Sequence, residues 1–167
     1  MLRKVLKKED CASCTFCCSF RRQSLWELPR LPVSFGDRHK TGFDGRSIKY
    51  DKFSSAEGEW ITTHLDDGYK TDDPEEEAAC PFLDPKGGCI LPPEEKPFEC
   101  SMWPLRYMRM PDGRLEVCLT PTCPVINKAD AEVLRQYSQQ EWAPAIREYA
   151  REHPYIIKDY REGFTVL

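Results

Sequence analysis

A small, loop-rich α+β domain is the fold class that the sequence predicts, and three patterns predict it. Leu105 to Leu119 reads as a β-hairpin, because Pro111-Asp112-Gly113 is a turn signal between two short apolar runs. From Asn127 onward the apolar residues fall at helical spacing. Between 80 and 104, Pro81, Pro85, Pro92-Pro93, Pro97, Pro104 and Gly87-Gly88 rule out a long helix.

Taken in order, residues 11–18 form a cysteine-bearing loop. A short helix is expected through Phe20, Leu25, Trp26 and Leu28, ending before Pro29, with Leu31-Pro32 extended. Residues 33–79 carry less pattern. Ser47 to Phe53 has Ile48 and Tyr50 on one face and is expected as a strand, and Trp60 to Leu65 as another. The acidic run from Asp72 to Glu77 reads as a solvated connector, since the ligand spacing of a calcium loop is missing. In the hairpin's second strand Leu115, Val117 and Leu119 share a face, so Cys118 is expected to point away from the core. Asn127 or Asp130 can cap a helix carrying Ala131, Val133, Leu134 and Tyr137. A second helix is expected from about Trp142 to Arg151, with Pro144 in its first turn and Ile146 and Tyr149 inward. Tyr155 to Leu167 is expected to pack back on the core. The division expected is a cysteine-cluster metal-binding domain over 1–125 and a C-terminal helical segment, 126–167, packed on it.

The chain has 167 residues, of which 40% are hydrophobic and 31% charged, a lean core for which crosslinks would compensate. A net charge of −4 with no concentrated basic surface argues against a nucleic-acid partner. No apolar run is long enough for a membrane span, and no signal-peptide core precedes Cys11. A cytoplasmic protein is therefore expected, with reduced thiols. An odd count of nine cysteines also disfavours a closed disulfide framework.

The cysteines fall into two clusters. The first is Cys11-x-x-Cys14-x-x-Cys17-Cys18; the second comprises Cys80-Pro81, Cys89, Cys100, Cys118 and Cys123-Pro124. A two-residue gap brings two sulfurs to one ion, which is why C-x-x-C recurs in zinc sites and C-x-x-C-x-x-C in iron–sulfur sites. The all-sulfur set is soft and selects zinc or iron–sulfur over magnesium or calcium. His39, His64 and His153 are scattered and do not read as ligands. Adjacent Cys17 and Cys18 are expected to diverge, one completing a site with Cys11 and Cys14 and the other reaching a second site or a shared cluster. Four thiolates on zinc leave a charge of −2, and Arg21, Arg22, Arg106 and Arg109 flank the clusters as candidates to offset it.

These residues resemble the CxxCxxCC (YkgJ-type) family of zinc- or iron-chelating cysteine cluster proteins. The likeness rests on Cys11-Ala-Ser-Cys14-Thr-Phe-Cys17-Cys18, then on Cys80-Pro-Phe-Leu83, Cys89-Ile90, Lys96-Pro97, Cys100 and Trp103-Pro104. Leu91, Lys96, Ser101 and Trp103 stand where the family pattern has tyrosine, arginine, arginine and phenylalanine. The resemblance implies eight metal-linked cysteines: Cys11, Cys14, Cys17, Cys18, Cys80, Cys89, Cys100 and Cys123. It leaves Cys118 out, because Cys123 fits the late Cys-Pro step.

The function expected is metal binding, holding an iron–sulfur cluster (4Fe-4S) or zinc, with a redox or assembly role. One alternative is an S-adenosylmethionine-dependent protein methyltransferase related to flagellin lysine N-methylase, in which a similar cysteine domain occurs. Against it, no glycine-rich loop follows a clear strand, and Gly87-Gly88 reads as a turn. The other is a structural-zinc interaction module serving a protein partner, with Trp26, Trp60, Trp103 and Trp142 available for a binding face. No catalytic residue is assigned.

Overall fold

In a computed structural model, which describes residues 8–65, 77–126 and 129–167, the first cysteines sit on a short helix, α1 (Lys8–Cys14). Thr15 leaves it in the left-handed region (φ 50°), and one 3-10 turn, Phe16–Cys18, follows. Then come β1 (Ser19–Arg21), a 3-10 stretch over Arg22–Glu27, and α2 (Val33–Arg38). The helix expected from Phe20 is thus a strand at Phe20 and a 3-10 stretch after it.

β2 (Tyr50–Ser55) and β3 (Gly58–Thr63) form a hairpin, a few residues displaced from the two strands expected. Most of the acidic run lies outside the described residues. β4 (Glu77–Ala79) returns to pair with β1, Ser19 opposite Ala79. The proline-rich stretch holds a minimal hairpin, β5 (Leu83–Asp84) with β6 (Gly88–Cys89), and the five-residue helix α3 (Phe98–Met102).

The expected hairpin is β7 (Leu105–Arg109) and β8 (Leu115–Leu119), closed by Gly113 at φ +86°. Helices α4 (Ala131–Tyr137) and α5 (Ala143–Glu152) follow, joined without a break through a π turn over Ser138–Trp142. Asp130 caps α4, its carboxylate accepting from the N–H groups of Glu132 and Val133 at 3.0 Å each. Val133 is exposed while Leu134 is buried. The C-terminal segment also supplies two strands. β9 (Lys158–Asp159) lies parallel to β7, and β10 (Thr165–Val166) antiparallel to β8, giving a four-stranded sheet ordered β10-β8-β7-β9. The chain is therefore the small α+β domain the sequence predicts.

The main core gathers Met102, Leu105, Val117, Ile146 and Ile156 between this sheet and α5. A second cluster of Leu31, Phe35, Ile61 and Phe82 ties α2 and β3 to the loop after β4. A third, Met108, Cys118 and Phe164 with Trp26 against it, covers the other sheet face. Cys118 is thus fully buried rather than turned to solvent. Alternation along β8 gave it the outer face, but the C-terminal segment and Trp26 cover that face.

Candidate metal site

The β1–β4 ladder brings the two cysteine clusters together. The Cys80 N–H donates to the Cys18 carbonyl at 2.7 Å, one step beyond the Ser19–Ala79 pair. The Leu83 N–H then donates to the Cys80 carbonyl at 2.9 Å, turning the chain into β5. In the β5–β6 pair Leu83 faces Cys89. Pro97 precedes α3, whose third residue is Cys100; the Ser101 N–H bonds the Pro97 carbonyl at 2.9 Å. Behind the loop, the Phe43 N–H donates to the Pro81 carbonyl at 2.7 Å, and Gly42 lies so close to that carbonyl that no side chain fits.

Cys17, Cys18, Cys80, Cys89 and Cys100 line one cavity of about 70 Å³. A single water needs roughly 10–15 Å³ by this measure, so the space suits a group of several atoms. The Cys17 and Cys18 sulfurs are 4.0 Å apart. Two thiolates on a tetrahedral zinc, each at about 2.3 Å, are roughly 3.8 Å apart. The divergence expected of this adjacent pair is therefore not found: both side chains turn to the same cavity.

Other expected ligands lie beside this cavity. Cys14, on α1, packs against the main core, and Cys123 is buried within that core. Trp103 bridges the two regions, lining the cavity and packing on the core. The Cys11 side chain lies outside the described residues. Among the described residues no group of three or more His, Cys, Asp or Glu side chains is closed on one point as a metal shell. Cys14, Cys17, Cys18, Cys80, Cys89, Cys100, Cys118 and Cys123 are free thiols.

The electrostatics favour the protonated form of three thiols in the pocket, Cys17, Cys80 and Cys100. Burial pushes the Cys80 and Cys100 thiols up to about 12, with neighbouring cysteines adding to it and Lys96 pulling Cys100 back. Cys17 reaches solvent at the mouth, yet it too is raised well above its ordinary value. Its hydrogen bond with Cys18 is the largest cause and the crowding of protein around it the next, while Lys96 and Arg106 act the other way. Burial raises Cys123, opposed in part by hydrogen bonds from the Ile126 and Val125 N–H groups and then from Trp103. Burial and mutual repulsion keep these thiols neutral despite the cations Lys96 and Arg106 nearby, and a bound metal cation would displace their protons.

Of the four arginines flanking the clusters, Arg106 lines the cavity. Arg109 is exposed and pairs with Glu57; the side chains of Arg21 and Arg22 lie outside the described residues. The histidines stand elsewhere: His39 stacks on Phe35, His64 bonds Asp51, and His153 stacks on Tyr149. Trp60 stacks between Phe53 and Tyr155, and Trp26 meets Phe164 edge-on.

Sequence reasoning missed an ion pair that begins in the cavity wall. Glu99, next to Cys100, faces Lys158 of β9 at 3.4 Å, with both side chains buried, and accepts from the Arg30 N–H. Lys158 also donates to the Trp26 and Leu28 carbonyls at 3.2 and 3.0 Å. Burial pulls the Lys158 pKa down, against the upward pull of Glu99. No local pattern signals a contact between residues so distant in sequence.

Comparison with family models, curated proteins and solved structures returned no match. Among the described residues no helix is long and apolar enough to cross a membrane.

Proposed function

We propose that this chain is a metal-binding protein whose thiol pocket holds an iron–sulfur cluster or zinc. The observation that carries the reading is the convergence of Cys17, Cys18, Cys80, Cys89 and Cys100, from four separate stretches of chain, on one cavity. The donor chemistry fits: soft sulfur ligands, with Lys96 and Arg106 on the same wall to offset thiolate charge. Cys14 and Cys123 lie against the adjoining core, and the CxxCxxCC resemblance, which rests on motifs alone, adds them and Cys11 to the ligand set. Room for several atoms favours a cluster over a single ion.

When bound, an iron–sulfur cluster supplies electron transfer, and zinc a redox-silent crosslink. The chain's own residues do the rest. The β1–β4 ladder fixes Cys18 against Cys80, α3 presents Cys100, and the apolar wall of Phe35, Phe82 and Leu91 excludes water. The test is protein purified without oxygen, assayed for iron, zinc and acid-labile sulfide per chain, with a visible spectrum. Brown protein with matching iron and sulfide supports the cluster, and colourless protein with zinc supports the closed thiolate site. A folded chain with neither metal overturns the reading.

A further inference from the structure

Arg106 combines features that an ordinary surface arginine does not. It is 3% exposed, on β7, and lines the cysteine cavity. Its guanidinium lies 4.5 Å from the Trp103 ring centroid, which fixes its plane. One terminal nitrogen donates to the Leu105 carbonyl at 3.2 Å, and the other reaches the Glu27 carbonyl at 3.5 Å. Its Nε–H is buried and has no hydrogen-bond partner among the described residues. A buried charged donor left unmatched costs free energy, so an orphan here points to an acceptor that the bare chain does not provide.

The other charges of the wall narrow the choice. Glu99 is answered by Lys158 and the Arg30 N–H. Lys96, half-buried, stands in the wall as a second cation, and Glu27 as a second acid with one carboxylate oxygen also unpartnered. Arg106 is thus the fully buried cation facing the thiols, and nothing on its own element neutralises it.

Resting on the metal reading above, we propose that Arg106 is the positioning residue of the thiolate centre: its Nε–H donates to a sulfur of the metal-bound set, and its charge offsets the negative charge of that set. Cys17 and Cys18 line the same cavity as Arg106. The role is distinct from that of a ligand, because guanidinium carries no lone pair for a metal. It also differs from simple stapling of β7 to the 3-10 stretch, which the terminal nitrogen on the Glu27 carbonyl accomplishes unaided.

The test uses the whole chain with Zn(II) alone as the probe, added without oxygen and competed against a chromophoric chelator. Arg106→Gln is expected to weaken zinc binding about 10- to 100-fold, the range for loss of an outer partner of a metal ligand. In wild-type protein labelled at arginine Nε, the Arg106 Nε–H resonance, assigned through its contact with the Trp103 ring, is expected to shift and to exchange more slowly on loading. This readout decides alone if Arg106→Gln does not fold, and a stapling role would not move it. Wild-type protein that takes up zinc with the Nε–H unmoved overturns this proposal only. Wild-type protein that takes up neither zinc nor, on anaerobic reconstitution, iron and sulfide overturns the metal reading and this proposal with it.

Discussion

The Cys80 N–H donates to the Cys18 carbonyl at 2.7 Å, and this bond joins the two cysteine clusters. It continues the β1–β4 ladder by one step, so backbone pairing alone brings cysteines of both clusters to the lining of one cavity. Substitution of the pocket cysteines is therefore expected to act on metal content. Cys80→Ser and Cys100→Ser each lower bound metal per chain, whereas Cys118→Ala leaves metal content unchanged and costs about 1 kcal/mol of stability. Metal analysis with thermal unfolding checks the pair of outcomes.

The loop bearing Cys80 depends on a glycine outside both clusters. A Cβ at Gly42 would run into the Pro81 carbonyl, which is rigid backbone. Gly42→Ala is expected to displace that loop, costing about 1–3 kcal/mol and weakening metal retention. Urea unfolding and metal analysis of the variant measure both effects.

Glu99 and Lys158 form a buried pair tying α3 to β9. Lys158→Met leaves the Glu99 charge unmatched in the interior and is expected to destabilise by about 3–5 kcal/mol. Adding Glu99→Gln, which keeps an acceptor for the Arg30 N–H, recovers part of that loss. A double-mutant cycle in urea gives the coupling.

Stability of the metal-free chain is expected to fall at alkaline pH. Folded Cys80 and Cys100 are pushed up to about 12 from an ordinary value of 9.0. The folded state holds these protons more tightly, so their contribution is fully present below about pH 9 and is lost as pH rises towards 12. Urea midpoints at about pH 8 and about pH 10 check this, and the Cys80→Ala/Cys100→Ala variant loses less over that interval. Metal affinity runs in the opposite sense: it rises with pH, because each thiol gives up a proton on binding.

The features legible in the sequence are those set by neighbours along the chain. Pro111-Asp112-Gly113 specifies a turn wherever it occurs, and Gly113 takes the positive φ that turn requires. Asp130 caps α4 through its own nearest N–H groups, and Pro144 opens α5 as expected. Helix α2 was not legible, because six residues carry too little periodicity; Phe35, packed on Phe82 and Tyr50, holds it in place. Cys118 does lie on the face opposite Val117, as the alternation implied; its burial was not legible, because Phe164, far along the chain, covers that second sheet face.

In the candidate site, the choice of cysteines was legible and their mutual arrangement only in part. Cys17 and Cys18 were expected to diverge, as neighbours do on extended backbone. On a 3-10 turn successive side chains are rotated by about 120° rather than 180°, so both can address one cavity. Arg106 was one of four candidates, and only the fold of β7 against Trp103 separates it from exposed Arg109.

X-ray absorption at the metal edge of protein purified without oxygen tests the central claim most directly. The predicted result is a first shell of sulfur alone, with metal–sulfur distances of about 2.3 Å. A shell of nitrogen or oxygen at about 2.0–2.1 Å, or a folded chain with no metal to measure, would contradict it.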